Sequence, residues 1–598
     1  MKKLFTTAKN MALAAWEATT FCFQHAPIRY IVQILSEIIS SLLPFAILFI
    51  WREIINSLSE HGLTVQAWYW FGVYIVIVLF QLAIGVFTSF VDRLFCETID
   101  MKCQSLIFDK LRTLEIAKYD DPKFEDAMKV VGNAPGYPYL FSDVLAFIKC
   151  IIVSACAIVG VTSRYPFAGL AVVLLYIPSV ILTARNAVKE YERYRSEERD
   201  NRKSAYYRNI LTGRDTAAEL RLYGYENIFR EKFNAIWKKL HKSHVHLNQM
   251  RTAWEMLGAI VSSLGLIIVV AFVYADIRNG TCPAGDAAMI IGLVLTMMQS
   301  IDDTNSAFSC FYNDYLECNG KLKAFLSLTS SMDESGSRTP AGVPSIEFRN
   351  VSFRYPGKED YVLKNISFKL GRGEKLALIG VNGAGKTTLT KLLCRFYDPD
   401  EGEILIDGIN AKEYDIHSLR RMFGVQFQNT HLYKVTIRDN VELSDVEKKD
   451  ESRFQDACLW SGMDTFMYKC KNGYETGITK VFDPDGYEPS GGEKQKIGLA
   501  RAYYKDSAVM ILDEPSSALD AEAEEYIFRQ FMEICENKTA VLISHRLSAV
   551  SMADKAALIE NGELLEFGTH NDLMAKNGRY AELYRMQADT YKEGMNHA

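Results

Sequence analysis

Six blocks of mostly apolar residues, at about 28–50, 68–92, 142–162, 167–186, 256–276 and 284–304, dominate the first half of this 598-residue chain. Each approaches the roughly 20 residues that a helix needs to cross the hydrocarbon of a bilayer. A helix satisfies its own backbone N–H and C=O groups, as lipid demands. The expectation is therefore a membrane domain of six spanning helices over residues 1–327. The third and fourth blocks are separated only by Ser163-Arg164-Tyr165-Pro166, a turn so short that it forces a hairpin. Glu37 in the first block and Gln81 in the second require a face lined by protein or water.

The connections assign the sides. Segments 93–140 and 187–255 are long, rich in Lys and Arg and helical in pattern, whereas 51–67, 163–166 and 277–283 are short, with about one basic residue each. Basic loops stay in the cytoplasm. Both termini and both long loops are expected there, with helices running past the bilayer to polar turns at 119–123 and 211–215. Such tips either touch another domain or end in solvent. Lys9 and Glu17 break the first apolar run, so an interfacial helix with Trp16 at the membrane surface is expected in place of a cleaved signal.

Several polar and sulfur-bearing residues keep two readings. Asp302, Asp303, Asp314 and Glu317 form either an acidic mouth for cationic cargo or a charged helix face leaving the membrane. Glu37 lines the cargo path or makes a structural hydrogen bond. The twelve cysteines lack Cys-x-x-Cys spacing, which argues against zinc; Cys150 and Cys156 read as packing residues, and Cys282 as a lone thiol in an outward loop.

A net charge of −6 and 49% apolar residues would by themselves suit a large soluble enzyme, but the average conceals a change of character. Residues 328–344, rich in Ser, Gly and Pro, mark a linker. Beyond it, residues 345–598 carry short strand-length apolar runs. Residues 345–348 and 351–353 alternate as strands do, and 375–379 forms a strand leading into Gly380-Val381-Asn382-Gly383-Ala384-Gly385-Lys386-Thr387-Thr388, after which a helix begins. Strand, glycine loop and helix are the context that a phosphate-binding P-loop requires. Its N–H groups and the helix N-terminus receive phosphates, Lys386 reaches the β- and γ-phosphates, and the Thr387 hydroxyl ligates Mg²⁺. A buried strand at 509–512 ends in Asp513, suited to hold Mg²⁺, and Glu514, suited to polarise an attacking water. Another, at 540–543, ends at Ser544-His545, where a histidine faces the ligand crevice of an α/β sheet. Ser490-Gly491-Gly492-Glu493 reads both as a helix capping box and as a receptor for a γ-phosphate.

With these motifs in order, the chain strongly resembles the ATP-binding cassette exporters, as a half-transporter of type IV fold over nearly its whole length. The resemblance implies a six-helix membrane domain followed by an α/β P-loop NTPase domain carrying the ABC signature. It implies bound ATP and Mg²⁺, with Tyr355 stacked on adenine, Gln428 sensing Mg²⁺ and coupling to the membrane domain, His545 as the switch histidine and Asp520 in the loop crossing the dimer interface. The catalytic set is then Glu514, His545, Lys386 and Gln428, and the metal set Thr387, Gln428 and Asp513. In that family the signature of one subunit, here Ser490 to Glu493, closes on the P-loop ATP of another, so a homodimer or heterodimer with a second half-transporter is implied. The turns near Asp121 and Gly213 fall where the family's coupling helices dock. Two departures stand out: Pro489 replaces the usual Leu, and Asn429 the acidic residue after Gln428. Proline suits a position just outside a helix start, yet its ring alters how Ser490 meets the opposing ATP, which favours a heterodimer with one weak site.

The expected function is ATP-driven export of an amphipathic substrate, a peptide, drug-like cation or lipid, by alternating access in a bacterial plasma membrane. The alternatives are a lipid flippase and a membrane sensor that moves nothing. Membrane lipid and the exported molecule are the expected partners, and nucleic acid is not. No peptidase domain is expected ahead of the first membrane helix.

Overall fold

The computed structural model describes residues 2–121, 124, 128, 136–317, 322–330, 332–514, 521–544, 550 and 552–586. It divides into two compact units, one of residues 1–112 and 126–328, the other of residues 113–125 and 329–598.

Among the described residues the first unit is helical, its longer helices being α1 (Lys2–His25), α2 (Pro27–His61), α3 (Val65–Arg112), α4 (Tyr137–Arg164), α5 (Pro166–Thr212), α6 (Arg214–Tyr223), α7 (Glu226–Arg278) and α8 (Ala284–Glu317). Five of them, α2, α3, α4, α7 and α8, are long and apolar enough to cross a membrane, and α5 contributes the apolar run Pro166–Pro178 among its described residues. At 1.5 Å per residue the 48 residues of α3 and the 53 of α7 extend about 70–80 Å, well beyond a hydrocarbon core of about 30 Å. The predicted hairpin is present, with Tyr165 alone between α4 and α5. At the second predicted tip the chain is tighter than expected. Leu211 and Thr212 end α5, Arg214 and Asp215 open α6, and Gly213 makes the corner alone. The Thr216 hydroxyl fastens it by donating to the Ile210 and Gly213 carbonyls at 2.6 and 3.1 Å.

Several polar groups in the apolar helices are paired across the bundle. Glu37 forms an ion pair with Lys149 at 2.9 Å. Asp92 accepts from Gln33 and Ser142, each at 3.0 Å. Arg52 bonds Asp286, and the Asn56 side chain accepts the Gly285 N–H at 2.7 Å. A Cβ on Gly285 would lie 2.2 Å from the Arg52 carbonyl, so α2 and α8 approach closely because that residue is small. Cys282 lies in the connection between α7 and α8, as a free thiol, but is buried at 6% exposure in a cluster that includes Tyr165 and Val273. Cys156, expected to pack, faces outward.

The second unit is α/β. β1 (Ile346–Phe353), β2 (Leu363–Leu370), β4 (Glu401–Ile406) and β5 (Ile409–Asn410) form an antiparallel sheet in the order β2-β1-β4-β5. β3 (Lys375–Ile379), β6 (Phe423–Gln426), β7 (Val509–Asp513), β8 (Thr539–Ile543), β9 (Lys555–Glu560) and β10 (Glu563–Gly568) form the other, in the order β10-β9-β3-β8-β7-β6. All its pairings are parallel except β10 with β9. Every residue of β7 and β8 is buried, as a strand covered on both faces requires. The alternating runs at 345–348 and 351–353 merge into β1, whose register shifts around Asn350. A helical subdomain contains α10 (Ile437–Glu442), α11 (Glu451–Trp460) and α12 (Gly491–Tyr504) around a core of Ile437, Phe454, Phe466, Ile497 and Tyr504. The P-loop helix is α9 (Lys386–Leu393), preceding α10 in the chain.

Candidate nucleotide site

The P-loop lies between β3 and α9, as the sequence requires. Gly380 and Gly385 have φ of 154° and 105°, and a Cβ on Gly380 would stand 2.1 Å from the Ile559 carbonyl. Only glycine lets the loop turn there. Lys386 is 5% exposed and its ammonium donates to the Gly380 and Val381 carbonyls at 2.8 and 3.1 Å. Burial lowers its pKa, an effect opposed by the carboxylates of Glu514 and Asp513. The lysine is thus a desolvated cation held at the mouth of its own loop. Asn382 and Gly383 are exposed, Ala384 and Thr388 buried, and Thr387 half-buried.

Parallel strands deliver the acidic groups to the same end of the sheet. β7 adjoins β8, which adjoins β3, so Asp513 and Glu514 emerge beside the P-loop at the carboxyl ends of the strands. Asp513 is fully buried. Glu514 adopts φ of 48°, its N–H donates to the Ile543 carbonyl at 3.0 Å, and its carboxylate lies 4.0 Å from Lys386. Left-handed backbone at a bulky side chain costs energy and collects at functional sites. Gln428, beyond the end of β6, donates to Glu514 at 2.5 Å. Lys386, Gln428 and Glu514 are therefore brought together from three separate stretches of chain.

Tyr355 closes the other side of α9. Its hydroxyl lies 3.1 Å from the Thr388 hydroxyl, Lys391 stands 5.2 Å from its ring centroid, and Tyr397 meets it edge-on at 5.4 Å. Sequence reasoning did not find Lys391 or Tyr397, because neither belongs to the glycine loop or the acidic strand.

Ser490 caps α12. Its hydroxyl accepts the Glu493 N–H at 3.4 Å, and the Glu493 carboxylate accepts the Ser490 N–H at 2.8 Å, completing the predicted capping box. Glu493 also accepts from Tyr487 at 2.9 Å and Lys469 at 2.8 Å. Burial alone would raise its pKa, but Lys469, the Ser490 N–H and Tyr487 bring it down to about 2. Pro489 is buried just ahead of the cap and leaves the helix start intact, while Ser490 and Gly491 stay exposed. His545 and Asp520 lie outside the described residues.

The fold and these motifs define a class, and comparison with known proteins agrees. The family described as ABC transporter matches residues 363–517, and the ABC transporter transmembrane region matches residues 30–301. The chain belongs to the ABC transporters, with a helical transmembrane domain fused to the nucleotide-binding domain, and is a multi-pass membrane protein. It is 31% identical over 369 residues to the ATP-dependent lipid A-core flippase of Salmonella paratyphi A, and equally to that of Escherichia coli strain K12. The match spans 62% of this chain and 62% of each relative. Its fold is similar to that of a bacterial Atm1-family ABC exporter with ATP bound, with a TM-score of 0.77 and 21% identity, covering 94% of this chain and 98% of that one.

Proposed function

We propose that this chain is one half of a dimeric exporter that hydrolyses ATP to move an amphipathic substrate across a bacterial inner membrane. The observation that carries the reading is the convergence of Lys386, Gln428 and Glu514 beside a glycine loop at the carboxyl ends of the parallel strands. In this reading the P-loop N–H groups and Lys386 hold the phosphates, and Tyr355 stacks on the adenine. Glu514 polarises water for attack on the γ-phosphorus, and Gln428 orients Glu514. The Thr387 hydroxyl, the Gln428 amide oxygen and the Asp513 carboxylate are hard oxygen donors of the kind Mg²⁺ takes, with phosphate oxygens and water filling the remaining positions. Mg²⁺ there would neutralise charge developing on the phosphates. His545 is assigned to the γ-phosphate by its place after a parallel strand, and Asp520 to the dimer interface by resemblance to the family.

A second half-transporter supplies the missing side of the site. Ser490 and Gly491 are exposed at a helix start, a form suited to receive a γ-phosphate held by another copy.

The relatives named as lipid A-core flippases favour lipid as the amphipathic substrate. Reconstituted vesicles given Mg-ATP distinguish the cargoes. A lipid flippase moves fluorescent phospholipid between leaflets, whereas a peptide exporter accumulates a cationic peptide, and ATP hydrolysis with neither would favour the sensor reading.

A further inference from the structure

Residues 113–125 continue the chain from α3, and residues 329–344 continue it from α8, so both connect helices of the first unit to the ATP-binding fold. Both converge on one turn, 394–398, at the far end of the P-loop helix. Arg395, 1% exposed and at φ of 50°, donates to the Asp333 carbonyl, to the Ala411 carbonyl at 3.3 Å and to the Asp398 carboxylate at 3.2 Å. Two residues on, the Tyr397 hydroxyl donates to the Asp120 carboxylate. The same tyrosine meets Tyr355 edge-on at 5.4 Å, and the Tyr355 hydroxyl lies 3.1 Å from that of Thr388 in the first turn of α9.

A third group joins the two connections to each other. Glu115 is 7% exposed, and its carboxylate accepts the Met332 N–H at 2.8 Å and the Ser330 hydroxyl at 3.2 Å, with Lys118 3.5 Å away. The linker, read in the sequence as a boundary of small residues, is laid down as a strap. The Ser337 and Arg338 N–H groups both donate to the Glu413 carbonyl at 3.1 Å, and Arg338 accepts from the Asp415 N–H at 2.9 Å. A Cβ on Gly336 would lie 2.4 Å from the Tyr414 carbonyl, so the strap fits only with glycine there. Ala117 of the same segment packs against the core, and the Glu115 carboxylate adds charge-assisted hydrogen bonds that tie the segment to the linker.

We propose that Glu115 is a positioning residue that fuses the linker strap to the first coupling segment, so that both connections move as one body with the 394–398 turn when ATP is bound. Displacement of α9 then reaches α3 and α8 together. This rests on the reading that ATP binds the P-loop and drives the membrane helices.

Hydrogen exchange tests it without knowledge of the cargo. In full-length protein in lipid carrying Glu514→Gln, Mg-ATP is expected to protect residues 375–393 and to change exchange at residues 93–112 and 322–338. Adding Glu115→Ala is expected to leave the P-loop protection in place and to reduce the distant response at least fivefold. Glu115→Gln, which keeps an oxygen for the Met332 N–H, restores at least half of it. Should Glu115→Ala fail to fold, Tyr397→Phe removes one oxygen only and must weaken the response at 93–112. An undiminished distant response in a folded Glu115→Ala or Tyr397→Phe protein overturns the proposal alone. Absence of ATP protection at 375–393 in the parent overturns the nucleotide reading and the proposal with it.

Discussion

Charged groups in the helical unit and in the ATP-binding unit are handled in opposite ways. In the helices, Glu37 is answered by Lys149, Arg52 by Asp286 and Asp92 by Gln33 and Ser142, each across a helix contact. Charge in an apolar medium is expensive, and pairing lowers that cost. In the ATP-binding unit, Lys386, Glu514 and Gln428 are concentrated at one end of a sheet, with the lysine partly desolvated and the glutamate on left-handed backbone. The first arrangement holds helices together. The second stores electrostatic potential where a phosphate arrives.

The contrast can be broken at its strongest point first. Gly380→Ala places a methyl 2.1 Å from the Ile559 carbonyl, and ATP affinity is expected to fall by about 100-fold or more, read by equilibrium binding of a fluorescent ATP analogue. In the helical unit, Lys149→Ala leaves Glu37 without its cation and should lower stability, read as a lowered Tm in detergent. The double change Glu37→Leu with Lys149→Met should restore most of that loss, because two apolar residues have no charge to bury. Recovery of stability without loss of ATP hydrolysis would mark the pair as structural.

A smaller effect is expected at the signature helix. Ser490→Ala removes the cap and should lower stability by about 1 kcal/mol. Its effect on ATP hydrolysis should be larger if Ser490 meets the partner's ATP, and a drop confined to stability would count against that role. The capping carboxylate makes the signature helix sensitive to acid. Glu493 titrates at about 2 when folded, below an ordinary glutamate, so the stability it contributes is present above the usual carboxylate range and fades as pH falls from about 4 towards 2. Glu493→Gln should lower stability between pH 6 and 8 by a constant amount and flatten the acid limb of an unfolding profile, since the contribution it removes is the one lost on acidification.

The sequence made much of this legible because membrane spans and P-loops are local signals. A run of about 20 apolar residues predicts a helix on its own, and the glycine loop between strand and helix predicts its own geometry. The capping box at Ser490 and Glu493 was legible for the same reason, since both partners lie within one helical turn. Polar pairing across helices was not legible. Glu37 and Lys149 are 112 positions apart, and nothing in either block names the other. The inward placement of Cys282 depends on how α7 and α8 pack, which a loop assignment does not reveal. Tyr397, Arg395 and Glu115 escaped notice because their partners come from chain connections, a polar turn and a linker, whose pairing residues no local pattern names.

The central claim is that Glu514, placed by Gln428 and facing Lys386, turns a bound nucleotide into a driven cycle. Mg-ATP hydrolysis by the purified dimer in lipid, with and without Glu514→Gln, tests it most directly. The account predicts that turnover falls by about 100-fold or more while ATP binding persists, as loss of a positioned general base implies. Hydrolysis that survives the substitution at near its original rate would contradict it.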